Sequence, residues 1–270
     1  MNSSSQQPGA LIAQGRTAEV YAWGEGQILK LYLSWCPANW AEYEARVARA
    51  IAQAGIPCPA VGEIVDVRGR CGILYERISG VSMLKDMSLH PWLLLKHARN
   101  LASLQAQFAS VKVPELVSYR EALGRAIGRA PHLTEALREK ALARLETLPD
   151  GQTLCHGDFH PDNVIISPSG PVVIDWMTAV SGSPWADVAR SSMILRIGVK
   201  AAGKQQVSPL LKLASGLFHA TYLGHFRSLK TNVNGELERW GPVIAAARLD
   251  ERIELEREAL LQDVEAGLAG

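Results

Sequence analysis

Six polar side chains that could perform acid–base or metal chemistry lie within one short stretch in the second half of the chain. They are His156, Asp158, His160, Asp162, Asn163 and Asp175. Two apolar runs, residues 164–166 and 172–174, flank the turn sequence Ser-Pro-Ser-Gly at residues 167–170. This pattern predicts a polar loop followed by a β-hairpin. Because the turn lies midway between Asn163 and Asp175, the hairpin would return Asp175 to the neighbourhood of Asn163.

The side-chain oxygens of Asn163 and Asp175 are suited to Mg²⁺. Proteins usually hold this cation with one or two side chains, while nucleotide phosphates fill its other positions. Asp158 lies five residues before Asn163, and its carboxylate could accept the proton of an attacking hydroxyl. Phosphoryl transfer requires the protein mainly to position groups and to neutralise charge. These three side chains therefore indicate that reaction.

A second pair of charged side chains lies in the N-terminal third. Lys30 stands inside the apolar run 28–33, where a lysine is costly unless its ammonium reaches a partner or the solvent. Glu44 falls on the apolar stripe of a predicted helix, whereas Glu42 is explained by a capping box with Asn39. A carboxylate on an apolar stripe usually needs a cation, and Lys30 is the candidate partner of Glu44.

Strand and turn patterns predict a small antiparallel sheet that would carry Lys30. Three strands are expected within residues 11–33, with residues 15–19 as the loop between the first two. Two more are expected at residues 61–67 and 72–77. Helical periodicity dominates the remainder of the chain. The predicted helices cover residues 91–108, 119–130, 134–148, 186–197, 209–229, 236–247 and 250–268.

The polar stretch resembles a known family. The order His-Gly-Asp-Phe-His-Pro-Asp-Asn at residues 156–163, followed by Ile-Asp-Trp at residues 174–176, is similar to the aminoglycoside phosphotransferase and choline kinase family. That family belongs to the protein-kinase-like superfamily, and the resemblance extends to about residue 190. It implies an α+β, bilobal protein-kinase-like fold. It also implies Mg²⁺ and ATP as cofactors, with GTP as an alternative, and transfer of the γ-phosphate to a hydroxyl.

The resemblance implies roles for the residues already singled out. Lys30, oriented by Glu44, would contact the α- and β-phosphates of the nucleotide. Asn163 and Asp175 would hold Mg²⁺, and Asp158 would be the catalytic base.

Further nucleotide contacts follow from the resemblance alone. Backbone atoms of Glu76 and Ile78 would bind the adenine edge, although a simple strand end followed by a turn explains these residues equally well. The predicted phosphate loop consists of Gly15, Arg16, Thr17 and Ala18. Its lone glycine replaces the G-x-G-x-x-G of protein kinases, so the loop has a less specific sequence signature.

The sequence pattern and the resemblance together predict three parts of the chain. Residues 1–10 would form a disordered tail and residues 11–79 an N-terminal nucleotide-binding lobe. Residues 80–270 would form a helical C-terminal lobe that carries the catalytic loop and the substrate site.

Several other polar residues have competing explanations. His156 is expected to bond the loop backbone, while Asp162 could reach the metal or bond within its loop, and His160 is equally open. Asp187 is expected to cap a helix or to brace the loop. Core or surface roles are favoured over substrate contact for His219, Tyr222 and His225.

The acceptor is predicted to be a small hydroxyl-bearing molecule, a metabolite or an antibiotic. Only residues 177–186 separate Asp175 from the next predicted helix, too few for a peptide-binding activation segment. The balance of acidic and basic residues after Arg190 weakens the case for a polycationic aminoglycoside. The alternative function is a kinase-like nucleotide-binding protein with a regulatory or scaffolding role.

Composition and charge limit the partners and the cellular location that we expect for the protein. The formal net charge is +1, without a dense basic run, so neither nucleic acid nor a membrane is expected as a partner. Residues 1–10 lack the features of a signal peptide, and the four cysteines form no C-x-x-C pair. A cytoplasmic location with reduced thiols is expected, and the oligomeric state stays open.

Overall fold

The computed structural model describes residues 7–201, 208–230 and 235–269. Residues 1–6 of the predicted tail lie outside the described residues. The chain divides into two compact units, Met1–Ser82 with Asn163–Met177 and Met83–Asp162 with Thr178–Gly270. The hairpin that we assigned to the C-terminal lobe is thus grouped with the first unit. The exact lobe boundaries stay a prediction.

The secondary structure follows the predicted order of strands and helices. The described strands are β1 Leu11–Gln14, β2 Ala18–Trp23, β3 Gln27–Tyr32, β4 Val61–Val67, β5 Arg70–Glu76, β6 Val81–Ser82, β7 Thr153–Cys155, β8 Val164–Ser167, β9 Gly170–Val173 and β10 Val180–Gly182. The described helices are α1 Asn39–Gln53, α2 Met83–Leu89, α3 Leu94–Phe108, α4 Tyr119–Arg129, α5 Glu135–Thr147, α6 Pro184–Ala201, α7 Pro209–Leu229, α8 Glu236–Arg248 and α9 Arg257–Leu268.

The first unit is built on a five-stranded antiparallel sheet in the order β1-β2-β3-β5-β4. The predicted strands are confirmed, except that Ala18 and Glu19 belong to β2 and pair with Tyr32 and Leu31 instead of forming loop. Apolar residues cover both faces of the sheet, and α1 packs on one of them. The cluster on that face contains Ala18, Tyr32, Ala41, Ala45, Ala48, Ile73 and Tyr75.

Helix α1 begins without the predicted capping box. The N-cap position is Ala38 rather than Asn39, and no side chain caps the helix. The backbone N–H of Trp40 instead donates to the carbonyl of Pro37 at 3.1 Å. The preceding turn therefore supplies a main-chain acceptor for one N–H group at the start of the helix.

The hairpin after the polar loop is confirmed. Strands β8 and β9 pair antiparallel, with Val164 opposite Val173 and Ser167 opposite Gly170. Strand β6 pairs with the other edge of β8. The backbone N–H of Ile174 donates to the carbonyl of Asn163 at 3.0 Å. The chain therefore returns to Asn163 one residue before Asp175.

The second unit contains α2 to α9 and the short antiparallel pair of β7 and β10. Helix α2 and this strand pair were not predicted, because each is too short for a clear periodic pattern. The helix predicted from Pro91 begins at Leu94, after a 3₁₀ turn. The helix predicted from Asp250 begins at Arg257, because a 3₁₀ turn and a left-handed Arg252 interrupt it. Within the described ranges, no helix combines the length and apolar character needed to cross a membrane.

Gly80 provides a test of this arrangement within the first unit. A Cβ atom at Gly80 would overlap the backbone carbonyl of Ile166 on β8. We expect Gly80→Ala to lower the free energy of unfolding by about 1–3 kcal/mol, as overpacking does elsewhere. Urea unfolding followed by circular dichroism measures the change.

Gly216→Ala is the matched control for Gly80→Ala. Gly216 lies on α7 with nothing within 4 Å of its added Cβ, so alanine should leave stability unchanged or raise it by up to about 1 kcal/mol. Wild-type stability in Gly80→Ala would contradict the close approach of residue 80 to β8.

Candidate active site

A buried ion pair joins the sheet of the first unit to its helix. Lys30 on β3 donates from Nζ to both carboxylate oxygens of Glu44 on α1, at 2.8 and 2.9 Å. Glu44 is only 2% exposed. Burial lowers the pKa of Lys30, but the negative charges of Glu44 and Asp175 outweigh it and raise the pKa above its ordinary value. Lys30 is therefore charged, and the predicted pairing is present.

Two tyrosines complete the environment of Glu44. The Tyr75 hydroxyl on β5 donates to Glu44 Oε1 at 2.9 Å, and the Tyr32 hydroxyl on β3 donates to Oε2. Burial raises the pKa of both hydroxyls, and the Glu44 charge raises it further, so both remain protonated donors. We did not predict these residues. The two-residue spacing of Lys30 and Tyr32, which places both on one face of a strand, was the available signal.

Asp175 belongs to the same cluster. Lys30 Nζ also donates to Asp175 Oδ1 at 2.8 Å. Asp175 has a left-handed backbone with φ of 63°, a conformation that aspartate tolerates better than most residues. Its side chain is 49% exposed, so the carboxylate stays accessible while one oxygen meets Lys30.

Asn163 and Asp175 lie at the paired ends of the hairpin formed by β8 and β9. Their donors are an amide oxygen and a carboxylate, the hard oxygen ligands that Mg²⁺ prefers. Among the described residues, no group of three or more His, Cys, Asp or Glu side chains could hold a metal ion. This donor set fits a cation that takes most of its ligands from nucleotide phosphates and water, and it does not fit an all-protein metal cage.

Asp158 lies among basic groups of the second unit. Its Oδ1 is 3.5 Å from Arg248 Nη1 and 3.7 Å from Arg190 Nη2, and its Oδ2 is 3.7 Å from His160 Nε2. Burial raises the pKa of Asp158, but His160 and the two guanidinium groups outweigh it and hold the pKa well below its usual range. Asp158 is therefore ionised at neutral pH.

Asp187, in the first turn of α6, braces the loop that carries Asp158. Its carboxylate accepts the backbone N–H of Gly157 at 2.8 Å and that of His156 at 3.2 Å. The Gln105 side-chain amide donates to it at 2.8 Å. Loop bracing is thus the role that these contacts give Asp187. Gly157 has φ of +77°, and a Cβ there would overlap the Thr178 carbonyl, so this position requires glycine.

The four histidines and the tyrosine that the sequence analysis left with competing roles make local contacts within the second unit. His156 Nδ1 accepts the backbone N–H of Asp158 at 3.3 Å, as expected for a structural residue. His160 Nδ1 accepts the backbone N–H of Asp162 at 3.3 Å. On α7, His219 and His225 contact Ser192 and Ser103 at 2.7 and 3.0 Å, and the Tyr222 hydroxyl donates to Gln105. Each of the three α7 side chains thus has a protein partner.

The predicted phosphate loop and adenine edge occupy the ends of strands. Gly15, Arg16 and Thr17 form the turn between β1 and β2, where the Gly15 N–H donates to the Ala18 carbonyl at 2.8 Å. Glu76 ends β5 and donates its own N–H to Ala60. The Glu76 N–H is therefore already bonded within the protein, and Ile78 follows two residues later. Their nucleotide roles stay predictions.

Lys30 on a small antiparallel sheet is held by Glu44 on a helix and also contacts Asp175 after a hairpin. This is the arrangement that the resemblance to protein-kinase-like proteins predicts. Solved structures share this fold over nearly the whole chain. The apo form of a thermostable mutant of aminoglycoside phosphotransferase APH(4)-Ia is 16% identical, with a TM-score of 0.64 over 98% of this chain and 92% of that one. A choline/ethanolamine kinase family protein from Mesorhizobium loti is 13% identical, with a TM-score of 0.59 over 99% and 86% of the two chains. The predicted α+β protein-kinase-like fold is confirmed.

The family follows from the sequence match. The model of the phosphotransferase enzyme family APH matches residues 9–214, well over half of the chain, and the protein belongs to that family. Acyl-CoA dehydrogenase family member 10 of Mus musculus is 28% identical over 181 residues, 58% of this chain. The matched part spans only 17% of that relative's length. The predicted membership of a phosphotransferase family is confirmed.

The bracing by Asp187 predicts a large effect on stability. Asp187→Ala would leave two backbone N–H groups and the Gln105 amide without this acceptor, and we expect a loss of about 3 kcal/mol or more in the free energy of unfolding. Asp187→Asn keeps one acceptor oxygen and should lose less. Thermal and urea unfolding of the purified variants measure both changes.

Asp263→Ala is the control for Asp187→Ala. It removes a carboxylate whose partner, Arg196, is exposed and lies 2.8 Å away, and a surface pair of this kind contributes under about 1 kcal/mol. Equal effects of the two alanine variants would refute a special role for Asp187.

Proposed function

We propose that the protein transfers the γ-phosphate of ATP, with GTP as an alternative donor, to a hydroxyl of a small metabolite or antibiotic, in a Mg²⁺-dependent reaction. The observation that carries this proposal is the three-membered ion cluster of Lys30, Glu44 and Asp175. It combines a fixed cation for phosphate oxygens with a carboxylate for the metal that accompanies them.

Lys30 and Glu44 would bind and orient the nucleotide phosphates. Glu44 holds Nζ through both oxygens and is itself held by two tyrosine hydroxyls, so the ammonium cannot swing away with the flexible lysine stem. Its ion pair with Asp175 is more exposed. A phosphate oxygen can therefore join Lys30 from the Asp175 side without disturbing Glu44.

Asn163 and Asp175 would hold Mg²⁺. When bound, this ion neutralises charge on the phosphate oxygens during transfer. The hairpin pairing keeps Asn163 and the residue before Asp175 in direct hydrogen-bond contact, so the two ligands are spaced by backbone structure rather than by loop flexibility.

Asp158 would orient the acceptor hydroxyl and receive its proton. A carboxylate with a lowered pKa is a weak base, which suits a loose phosphoryl transition state in which positioning matters more than early deprotonation. The same low pKa keeps the group ionised and ready to accept the hydroxyl hydrogen bond throughout the neutral range.

Complexes of proteins with the same fold support the choice of ligands. An APH(4)-Ia mutant with a TM-score of 0.63 forms a ternary complex with AMP-PNP and hygromycin B. An aminoglycoside 2′-phosphotransferase-IIIa mutant with a TM-score of 0.60 forms a GDP complex. The first supports an adenine nucleotide and a hydroxyl-bearing acceptor, and the second keeps GTP in the proposal.

The proposal is tested by Mg²⁺-dependent release of ADP across a panel of aminoglycosides, amino alcohols, sugars and nucleosides, with GTP alongside ATP. Acceptor-stimulated release establishes the reaction and identifies the acceptor class. Tight nucleotide binding with no release for any acceptor would favour the regulatory or scaffolding alternative.

Two aspartates should separate catalysis from metal-dependent binding. We expect Asp158→Asn to lower kcat by about 10²–10⁴-fold, because the positioned acceptor of the hydroxyl proton is lost, with nucleotide affinity retained. Asp175→Ala should lose Mg²⁺-dependent nucleotide affinity as well. Steady-state kinetics and calorimetry with and without Mg²⁺ distinguish the two, and Asp263→Asn serves as the surface control. Normal turnover in Asp158→Asn would exclude it as the base.

Glu44→Gln tests the orientation of Lys30. The amide keeps the size of the side chain but removes the charge that Lys30 faces, so we expect KM for the nucleotide to rise about 10-fold or more while KM for the acceptor changes little. The neighbouring Glu42→Gln, on the same helix, is the control and should match wild type. An unchanged KM for the nucleotide in Glu44→Gln would remove Glu44 from the proposed binding site.

A further inference from the structure

We propose that Arg248 is a positioning residue for the carboxylate of Asp158, an inference that rests on the proposed function. Arg248 is the last residue of α8 and is 7% exposed. Its Nη1 lies 3.5 Å from Asp158 Oδ1. Its place in the chain lies beyond residues 9–214, the part matched by the family model.

Arg248 is held rigidly by its own carboxylate partners. Its Nε and Nη2 donate to the two oxygens of Glu256 at 2.8 and 3.1 Å, a bidentate arrangement. Its Nη1 donates to Glu251 at 3.1 Å. The planar guanidinium is thus fixed on two sides, and the nitrogen that faces Asp158 cannot rotate away.

A second arginine reaches the same carboxylate from α6. Arg190 donates from Nε to the carbonyl of Gly157, and its Nη2 donates to Glu251. That Nη2 lies 3.7 Å from Asp158 Oδ1. Glu251 therefore bridges Arg190 and Arg248, and the network links α6, α8 and the turn after α8 to the loop around Asp158.

The distances indicate orientation rather than capture of the carboxylate. Both guanidinium nitrogens lie farther from Oδ1 than the 2.7–3.2 Å typical of an N–H···O hydrogen bond. Electrostatic attraction at these distances can aim the Asp158 carboxylate without a short hydrogen bond from either guanidinium group. A short bidentate bond to Asp158 would instead compete with the acceptor.

Stability alone is a weak explanation for this network. Burying an arginine–glutamate pair has a desolvation cost that offsets much of the attraction, and apolar residues of similar size often replace such pairs without loss. The network does have a geometric effect, because two fixed cations face the oxygen of one carboxylate.

The test compares Arg248→Met and Arg248→Lys with a matched control, Arg129→Met. Arg129 pairs with Asp250 Oδ2 at 2.6 Å, next to Glu251 in the chain, and has no ion pair with Asp158. Turnover is measured with MgATP and the acceptor that gives the fastest ADP release in the panel. A displacement near 1 Å costs about 10²-fold in rate, and Arg190 remains in place. We therefore expect Arg248→Met to lower kcat by about 10- to 100-fold.

A structural role would not produce the full pattern that we expect. KM for MgATP and for the acceptor should stay within about twofold, Arg248→Lys should recover part of the kcat, and Arg129→Met should match wild type. If Arg248→Met does not fold, Glu256→Gln, which weakens the anchor and keeps the cation, is judged by the same criteria. Full kcat in the folded Arg248→Met protein would overturn the proposal.

A crystal structure of Arg248→Met separates this proposal from the proposed function. A displaced or multiply oriented Asp158 carboxylate, compared with a crystal structure of the wild type, supports positioning, and an unchanged single conformer overturns it. This result does not require turnover. A wild-type enzyme that transfers phosphate to no acceptor would refute the proposed function, and the Asp158 conformer would then decide the positioning role by itself.

Discussion

The ion pair of Lys30 and Glu44 is the interaction on which the rest of the first unit depends. A lysine ammonium inside an apolar strand, or a carboxylate that is 2% exposed on a helix, would each be strongly unfavourable alone. Each makes the other acceptable, and the two tyrosine hydroxyls satisfy the lone pairs of Glu44 that the ammonium leaves. The positions of β3, β5 and α1 are thereby tied to a single carboxylate.

The loop around Asp158 is held by hydrogen bonds to side chains of neighbouring elements. This segment has little regular backbone pairing of its own, so its N–H groups need other acceptors. The Asp187 carboxylate at the start of α6 accepts the N–H of Gly157. The Thr178 hydroxyl donates to the carbonyl of His156 at 2.9 Å, and Arg190 Nε donates to the carbonyl of Gly157. The Asp158 carboxylate thus lies on an irregular loop whose backbone N–H and C=O groups are nonetheless hydrogen-bonded to other elements.

Lys30 and Asp158, the two charged groups of the proposed chemistry, therefore have opposite electrostatic surroundings. Lys30 is a cation surrounded by carboxylates, which raise its pKa against the effect of burial. Asp158 is a carboxylate surrounded by arginines and a histidine, which lower its pKa against the same effect. In both cases the surrounding charges keep the group ionised where burial favours the neutral form. An ionised lysine and an ionised aspartate are the forms that phosphate binding and hydroxyl orientation need.

Much of the architecture was predictable from local patterns, because strands, turns and amphipathic helices are encoded by neighbouring residues. The five-stranded sheet, the hairpin after the polar loop and the bounds of α7 all follow from such patterns. The predictions that were wrong also concern local features. The predicted capping box at Asn39 is absent, because the N-cap of α1 is Ala38 and no side chain caps the helix. The predicted helix from Asp250 is interrupted at Arg252.

The sequence by itself determined the family, the order of the candidate site residues and the need of Glu44 for a cation, since residue type and spacing carry that information. Only the tertiary structure decided that Tyr32 and Tyr75 share Glu44, that Asp187 holds the loop, and that Arg248 faces Asp158. These contacts join residues far apart in the chain. The pairing of a donor with a distant acceptor depends on strand register and helix packing. Neither the register nor the packing can be read from the residues next to the donor in the sequence.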